Sequence, residues 1–288
     1  MALPADLDLR TATGADLPVI GALREAVGWT SHAWALRAVL EPAQARCVVV
    51  VDELDRIVGV GSGISYGVLG VVGNMVVAED HRRRGIGTTI LEAIIDFLSS
   101  QRDCVRLELN ATPDGRPLYE RHGFATIGAS ATARVGRGIG LEPDASVALR
   151  RASAGDLDAL AAFDRPRFGG DRRVILELLL GDSHSTSLIA ESDGEVVGYA
   201  HLRLDAPRIG PLLADAPSVA ATLVQGAFDL APSVDELRVN LPPGNRAGAD
   251  WLRALGVAIE PWEGRMARGP QVPRRDATIY GMAMGALG

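Results

Sequence analysis

The sequence contains no lysine: all 29 of the basic residues among its 288 are arginine. Imine-forming catalysis and lysine general bases are therefore excluded. Cysteine is almost as scarce. Cys47 and Cys104 stand singly in apolar, strand-like runs, without the paired spacing of a zinc site or a dithiol redox motif, and read as buried thiols. The five histidines, His32, His81, His122, His184 and His201, have no metal-ligand spacing either, so no metal is expected. Long apolar runs are also missing; stretches such as Cys47 to Val51 fall far below the roughly 20 residues that span a bilayer. Met1 to Arg10 carries two aspartates and neither a cationic start nor an apolar run, which predicts a cytoplasmic protein with no membrane partner. A surplus of cations is lacking too. The net charge of −7 argues against nucleic acid as a partner and mildly favours cationic small molecules.

What is present is an ordinary globular composition, 47% apolar and 23% charged, in a chain long enough for two domains. The chain is also written twice. Leu9-Arg10-Thr11-Ala12 with Asp16-Leu17 recurs as Leu149-Arg150-Arg151-Ala152 with Asp156-Leu157. An apolar strand, a polar turn and a Val-Gly pair run from Cys47 to Gly59 and again from Ser187 to Gly198. Arg121-His122-Gly123-Phe124 closes the first half as Arg253-Ala254-Leu255-Gly256-Val257 closes the second. Three matches in one order point to duplication. Each half reads as an α/β (α+β) domain, a mixed sheet with helices packed on it. The break falls in the Gly-rich stretch Gly136 to Ser146, dividing the chain into 1–140 and 141–288.

The most informative segment is Val71 to Ser99. Val71 to Val77 is rich in β-formers, Ala78 to Arg84 is polar, and Gly85-Ile86-Gly87 leads into a run with Ile90, Leu91, Ile94, Ile95 and Leu98 on one helical face. Glycines at a helix start let the main chain approach an anion, and the first turn offers unpaired N–H groups and the positive end of a dipole. Arg82, Arg83 and Arg84 add positive potential at the rim. A nucleotide-triphosphatase loop would need a lysine where Thr88 stands, and a dinucleotide fingerprint would want Gly or Ala in place of Ile90. A ligand-free strand-to-helix turn is the remaining alternative.

Met75-Val76-Val77 followed by Arg82-Arg83-Arg84-Gly85-Ile86-Gly87 resembles motif A of the GCN5-related N-acetyltransferases (GNAT), with Arg82, Gly85 and Gly87 at its three key positions. The resemblance implies acetyl-CoA as cofactor. Its pyrophosphate would be held by the loop from Arg82 through Gly85, Ile86, Gly87 and Thr88, and its pantetheine arm by the main chain of Met75, Val76 and Val77. It also implies two tandem acyl-CoA acyltransferase domains, each a mixed, mostly antiparallel sheet flanked by helices.

A second match follows in order. The alternating strand Val105 to Asn110 leads through a Gly/Pro loop to Leu118-Tyr119-Glu120-Arg121-His122-Gly123-Phe124, which resembles motif B of the same family. By that resemblance Tyr119 is the general acid that protonates the departing thiolate; the family's asparagine contact does not carry over, because Thr112 stands at its position, and Asn110 is the candidate to contact the cofactor instead. A phenol suits the task chemically, although a core aromatic on a short helix would look the same in isolation. Glu108 shares a strand face with Arg106 and Asn110; it is read either as a general base acting through water or as one half of a salt bridge. Trp29, with His32 and Trp34 in the first helical segment Pro18 to Leu40, either lines an acceptor pocket or packs on the sheet.

The second half lacks these features. Around Arg208 to Pro217 there is no Arg-x-x-Gly-x-Gly, Asp215 and Pro217 replace the cationic loop, and Leu252 stands where an acid would fall. Its ending, Arg265 to Pro270 and Ile279 to Ala283, resembles the degenerate C-terminal domain of bacterial tandem members of the family. The expected activity is direct transfer of acetyl to the amine of a small molecule; the alternative is a coenzyme A sensor without catalysis. Oligomeric state is left open.

Overall fold

The computed structural model describes residues 3–29 and 33–288, so His32 lies outside the described residues. Two compact units emerge, neither continuous in sequence. The first comprises Met1–Ala125, Met266–Val272 and Gly285–Leu287; the second comprises Thr126–Arg265, Pro273–Met284 and Gly288. Almost all of the strand that precedes the Gly136 to Ser146 stretch therefore belongs to the second unit, and two late segments belong to the first.

In the first unit the elements run β1 (Leu7–Thr11), α1 (Leu17–Ala26), α2 (Ala33–Leu40), β2 (Ala45–Asp52), β3 (Ile57–Ser65), β4 (Leu69–Val77), α3 (Ile86–Ser100), β5 (Arg106–Asn110) and α4 (Arg116–Arg121). The strands lie in the order β1-β2-β3-β4-β5. All neighbours are antiparallel except β4 and β5, whose parallel register runs from Leu69 opposite Arg106 to Val72 opposite Leu109. This is the mixed, mostly antiparallel sheet that the sequence predicts.

Helix α3 lies close on that sheet because β3 presents glycine beneath it. A Cβ on Gly59 would come within 2.6 Å of Ile86, and one on Gly63 within 2.7 Å of Ile94. Ile86, Ile90, Leu91, Ile94, Phe97 and Leu98 are fully buried in consequence. Each such side chain contributes about 1.5–3 kcal/mol of apolar burial, so the sheet holds the start of α3 firmly in place.

Strand β5 departs from the half-buried alternation read in the sequence. Arg106, Leu107, Glu108 and Leu109 are all buried, because residues from the far end of the chain return to this unit. The Arg106 guanidinium reaches the carbonyls of Gly269 and Pro270, and Met266 joins the core that contains Leu107 and Leu109. Cys47 is buried within β2, and desolvation pushes its thiol up to about 12. Cys104 is buried as well, but in the loop before β5, with its sulfur 3.3 Å from Ser65 Oγ.

The second unit adds β6 (Ala125–Gly136), β7 (Ala148–Arg151), α5 (Leu157–Phe168), α6 (Arg173–Leu180), β8 (Ser185–Ser192), β9 (Glu195–Arg203), β10 (Arg208–Ala214), α7 (Pro217–Leu230), β11 (Glu236–Leu241), α8 (Arg246–Ala254), β12 (Ile259–Arg268) and β13 (Ile279–Gly281). Its strand order is β12-β6-β11-β10-β9-β8-β7, and β13 pairs with β10. The duplication is visible in atomic detail at the start of each repeat. Thr13 N–H donates to Asp16 and Ser153 N–H to Asp156, both at 2.7 Å, while Arg10 and Arg150 clamp those same carboxylates at 2.9 and 2.8 Å. Two histidines for which the sequence offers no partner have one here: His201 Nδ1 lies 2.9 Å from Ser187 Oγ, and His184 Nδ1 lies 3.6 Å from Asp182. Among the described residues, no helix is long and apolar enough to cross a membrane.

Candidate active site

The site is set by a divergence of strands in the first unit. Strand β4 stays paired with β3 as far as Val77 opposite Gly59, but its parallel pairing with β5 ends at Val72. Gly73 to Val77 thus keep one edge on which no strand is paired among the described residues. The divergence begins at a bulge, where the β3–β4 register shifts between Val60 and Ser62 and Asn74 adopts φ +55°. Asparagine tolerates that left-handed geometry better than most residues. Here its side chain is also held: Arg24 from α1 donates to Oδ1, and Nδ2 donates to Ser62 Oγ at 2.8 Å. Arg24, Ser62 and Asn74 are all buried.

Sequence reasoning missed this trio. The available signal was Gly73-Asn74 interrupting a run of β-formers, a pattern that marks bulges.

The chain then turns into α3, which starts at Ile86, among the glycines that the sequence places at a helix start. Gly85 caps the helix with φ +85°, a conformation that favours glycine, and Thr89 N–H makes the first helical bond to the Gly85 carbonyl. The N–H groups of Ile86, Gly87 and Thr88 precede that bond and so have no carbonyl within the helix. Gly87 sits against both flanking elements; a Cβ there would lie 3.9 Å from Val77 and 3.4 Å from Leu118. The main chain of β4, the first turn of α3 and helix α4 therefore converge.

The three loop arginines differ in their commitments. Arg84 is bound to Asp6 at 2.6 Å and holds that carboxyl below its ordinary range. Arg82 and Arg83 are exposed; Arg82 Nε donates to the Val77 carbonyl at 3.3 Å, and Arg83 adopts φ +64°. His81 Nδ1 lies 2.7 Å from Asp80.

Tyr119 lies on α4, with its ring edge-on to Phe124 at 6.1 Å between centroids. It is buried in the same core as Met75, Val77 and Leu118. Desolvation pushes its phenol up to about 12, so the group keeps its proton across the neutral range. Among the described residues, its hydroxyl has no hydrogen-bond partner. His122 follows, with Nδ1 2.8 Å from the Leu118 carbonyl.

Glu108 and Asn110 occupy one face of β5, and both are engaged within this unit. The Glu108 carboxylate is 0% exposed and receives Arg106 Nε at 2.5 Å, so of the two readings open in the sequence the geometry displays the ion pair, in buried form. Asn110 Nδ2 donates to the Gly285 carbonyl at 2.8 Å. Trp29 follows α1, half-buried, with the Arg24 guanidinium 5.8 Å from its ring centroid. Trp34 is buried on α2.

The second unit repeats the frame without the cradle. Pro217 opens α7 and supplies no N–H, and Asp215 before it is bound to Arg167 at 2.5 Å. Leu252 on α8 is buried. Strand β10 is paired with β11 at one position, Arg208 opposite Arg238, and β13 enters beside it, Leu212 opposite Gly281 and Leu213 opposite Ile279. Met282 N–H extends this segment to β11 by donating to the Asn240 carbonyl at 2.7 Å.

Comparisons with known proteins agree with both halves. Residues 25–139 and 160–281 each match an acetyltransferase (GNAT) domain family. A Bacillus subtilis (strain 168) protein described as the uncharacterized N-acetyltransferase YitH is 26% identical over 231 residues, which span 77% of this chain and 78% of that protein. The crystal structure of a putative acetyltransferase from Pyrococcus horikoshii shares the fold, with a TM-score of 0.79 and 22% identity over 100% of this chain and 98% of that one. A tandem GNAT protein from the clavulanic acid biosynthesis pathway does so too, with a TM-score of 0.64 and 15% identity over 92% of this chain and 99% of that one. The chain belongs to the GNAT acetyltransferases, with two GNAT domains in tandem, and is an acyltransferase.

Proposed function

We propose that the first unit binds acetyl-CoA and transfers its acetyl group directly to the amine of a small molecule. The observation that carries this reading is the unpaired β4 edge at Gly73 to Val77 lying beside the uncapped first turn of α3. An extended amide-bearing chain can pair with such an edge as an added strand would. A diphosphate suits the N–H groups of Ile86, Gly87 and Thr88, with Arg82 and Arg83 at the rim. Bound acetyl-CoA supplies an acyl thioester, an acetyl group already activated towards amines.

The remaining roles belong to the protein. Main-chain N–H groups near Val77 stabilise the oxyanion that forms as the amine attacks. Tyr119 holds its proton for the departing sulfur, and its burial keeps the phenol un-ionised until that step. Glu108, held by Arg106, takes the proton that the amine loses, through water, as the new bond forms. Asn110 helps to shape the end of β5, and Trp29, in the segment after α1, faces the acceptor.

Thiol release from acetyl-CoA across a panel of amines tests the activity. Tyr119→Phe should lower kcat by about 10²–10⁴ with little change in KM for acetyl-CoA. Equal turnover by the variant, with chemistry shown to limit the rate, removes Tyr119 from the role.

A further inference from the structure

Four arginines form one cross-strand row on the sheet of the second unit. Arg134 on β6 stands opposite Arg238 on β11, Arg238 opposite Arg208 on β10, and Arg208 opposite Arg203 on β9. Residues paired in this way share a face of the sheet, on strands about 4.8 Å apart. That face is the one turned away from α7, since the neighbours Ala133, Val135, Leu237, Val239, Ile209 and Leu202 all join the α7 core.

Like charges set side by side on a sheet repel, and at the two ends of the row carboxylates offset the repulsion. Arg134 is bound to Glu236 at 2.9 Å, with Glu260 adding to the field around it, and Arg203 is bound to Asp205 at 2.6 Å. The two central arginines differ. Among the described residues, neither the Arg208 nor the Arg238 guanidinium has a hydrogen bond or ion pair. Arg208 is half-buried, and desolvation together with Arg238 and Arg203 pulls its guanidinium down to about 10. Two residues before Arg203, on the same face, His201 is 1% exposed, and its buried Nε2 has no partner among the described residues.

Arg238 is exposed beside the half-buried Arg208, and two adjacent cations with no carboxylate between them repel until an anion bridges them. We propose that Arg208 and Arg238 form an oxyanion site on the second unit and take a phosphoryl group, one guanidinium fork from each strand. A phosphoryl group carries up to two negative charges and three acceptor oxygens, which matches two cationic forks better than a singly charged planar carboxylate does. The site is not a remnant of a pyrophosphate cradle. It lies at the first residue of β10, whereas the helix that would supply such a cradle begins beyond the other end of that strand.

The test is calorimetric titration of inorganic phosphate into the full chain at constant ionic strength, with chloride as the balancing ion. The wild type should bind saturably, and Arg208→Gln and Arg238→Gln should each weaken binding by about tenfold or more. Arg208→Lys, which keeps the charge, should retain part of the affinity. An Arg82→Gln/Arg83→Gln variant, altered only at the loop of the first unit, should retain this binding. In phosphate-free buffer Arg208→Gln should melt no lower than the wild type, because it relieves repulsion. Absence of saturable binding, equal binding by Arg208→Gln and the wild type, or saturation by acetate where phosphate gives none would each overturn the assignment.

Discussion

The two units open the same parallel strand pair and fill the opening differently. In the first, β4 leaves β5 after Val72 and runs on to Val77 beside a glycine-capped helix start. In the second, β10 parts from β11 after a single paired position and β13 occupies the place beside it, bonded onward to Asn240. Backbone N–H and C=O groups buried without partners are costly. The second unit, whose corresponding turn carries Asp215 and Pro217, pairs that edge with its own chain.

The largest expected effect on this contrast comes from adding a charge to the cradle. Gly87→Asp leaves ordinary packing room at Leu118 but sets a carboxylate beside the first-turn N–H groups. Coenzyme A affinity should fall about 100-fold by repulsion, as isothermal titration would show, with helix content unchanged by circular dichroism. Wild-type affinity in that variant would break the contrast at its root.

Acid should separate the units next. Burial holds the His201 imidazole of the second unit down to about 4, with Arg203 pulling the same way and Asp182 opposing. The folded state thus favours the neutral ring, while the unfolded chain binds a proton below about 6.5. The resulting stability is present above pH 6.5 and is lost as pH falls towards 4, up to about 3 kcal/mol at the limit. Hydrogen exchange resolved by unit should show the second losing protection first between pH 6.5 and 4.5. His201→Gln should flatten that dependence.

The smallest effect distinguishes neighbouring arginines. Arg83→Gln should weaken coenzyme A binding a few-fold, and Arg84→Gln less, because the Arg84 guanidinium is already committed to Asp6. The reverse order would mean that Asp6 releases Arg84 when ligand binds.

The sequence shows the repeat because the Arg10–Asp16 and Arg150–Asp156 clamps are local and leave a local pattern. It shows the α3 start for the same reason, since glycine spacing and helical periodicity are neighbour effects. Long-range covering leaves no such pattern. Nothing in Arg106 to Asn110 announces that Gly269, Pro270 and Gly285 will return to β5, so its strand reads as half-exposed when both faces are buried. Arg24 is equally silent: on α1 it resembles a surface cation, and the bulge at Asn74 gives it a buried acceptor. The strand that enters beside β10 comes from residues 279–281, far from the loop whose loss the sequence does display.

The most direct measurement is the stoichiometry of coenzyme A binding to the intact chain. One site per chain, abolished or strongly weakened by Gly87→Asp and unaffected by Pro217→Ala, is the expected result. Two sites, or one that survives Gly87→Asp at full affinity, would contradict the account.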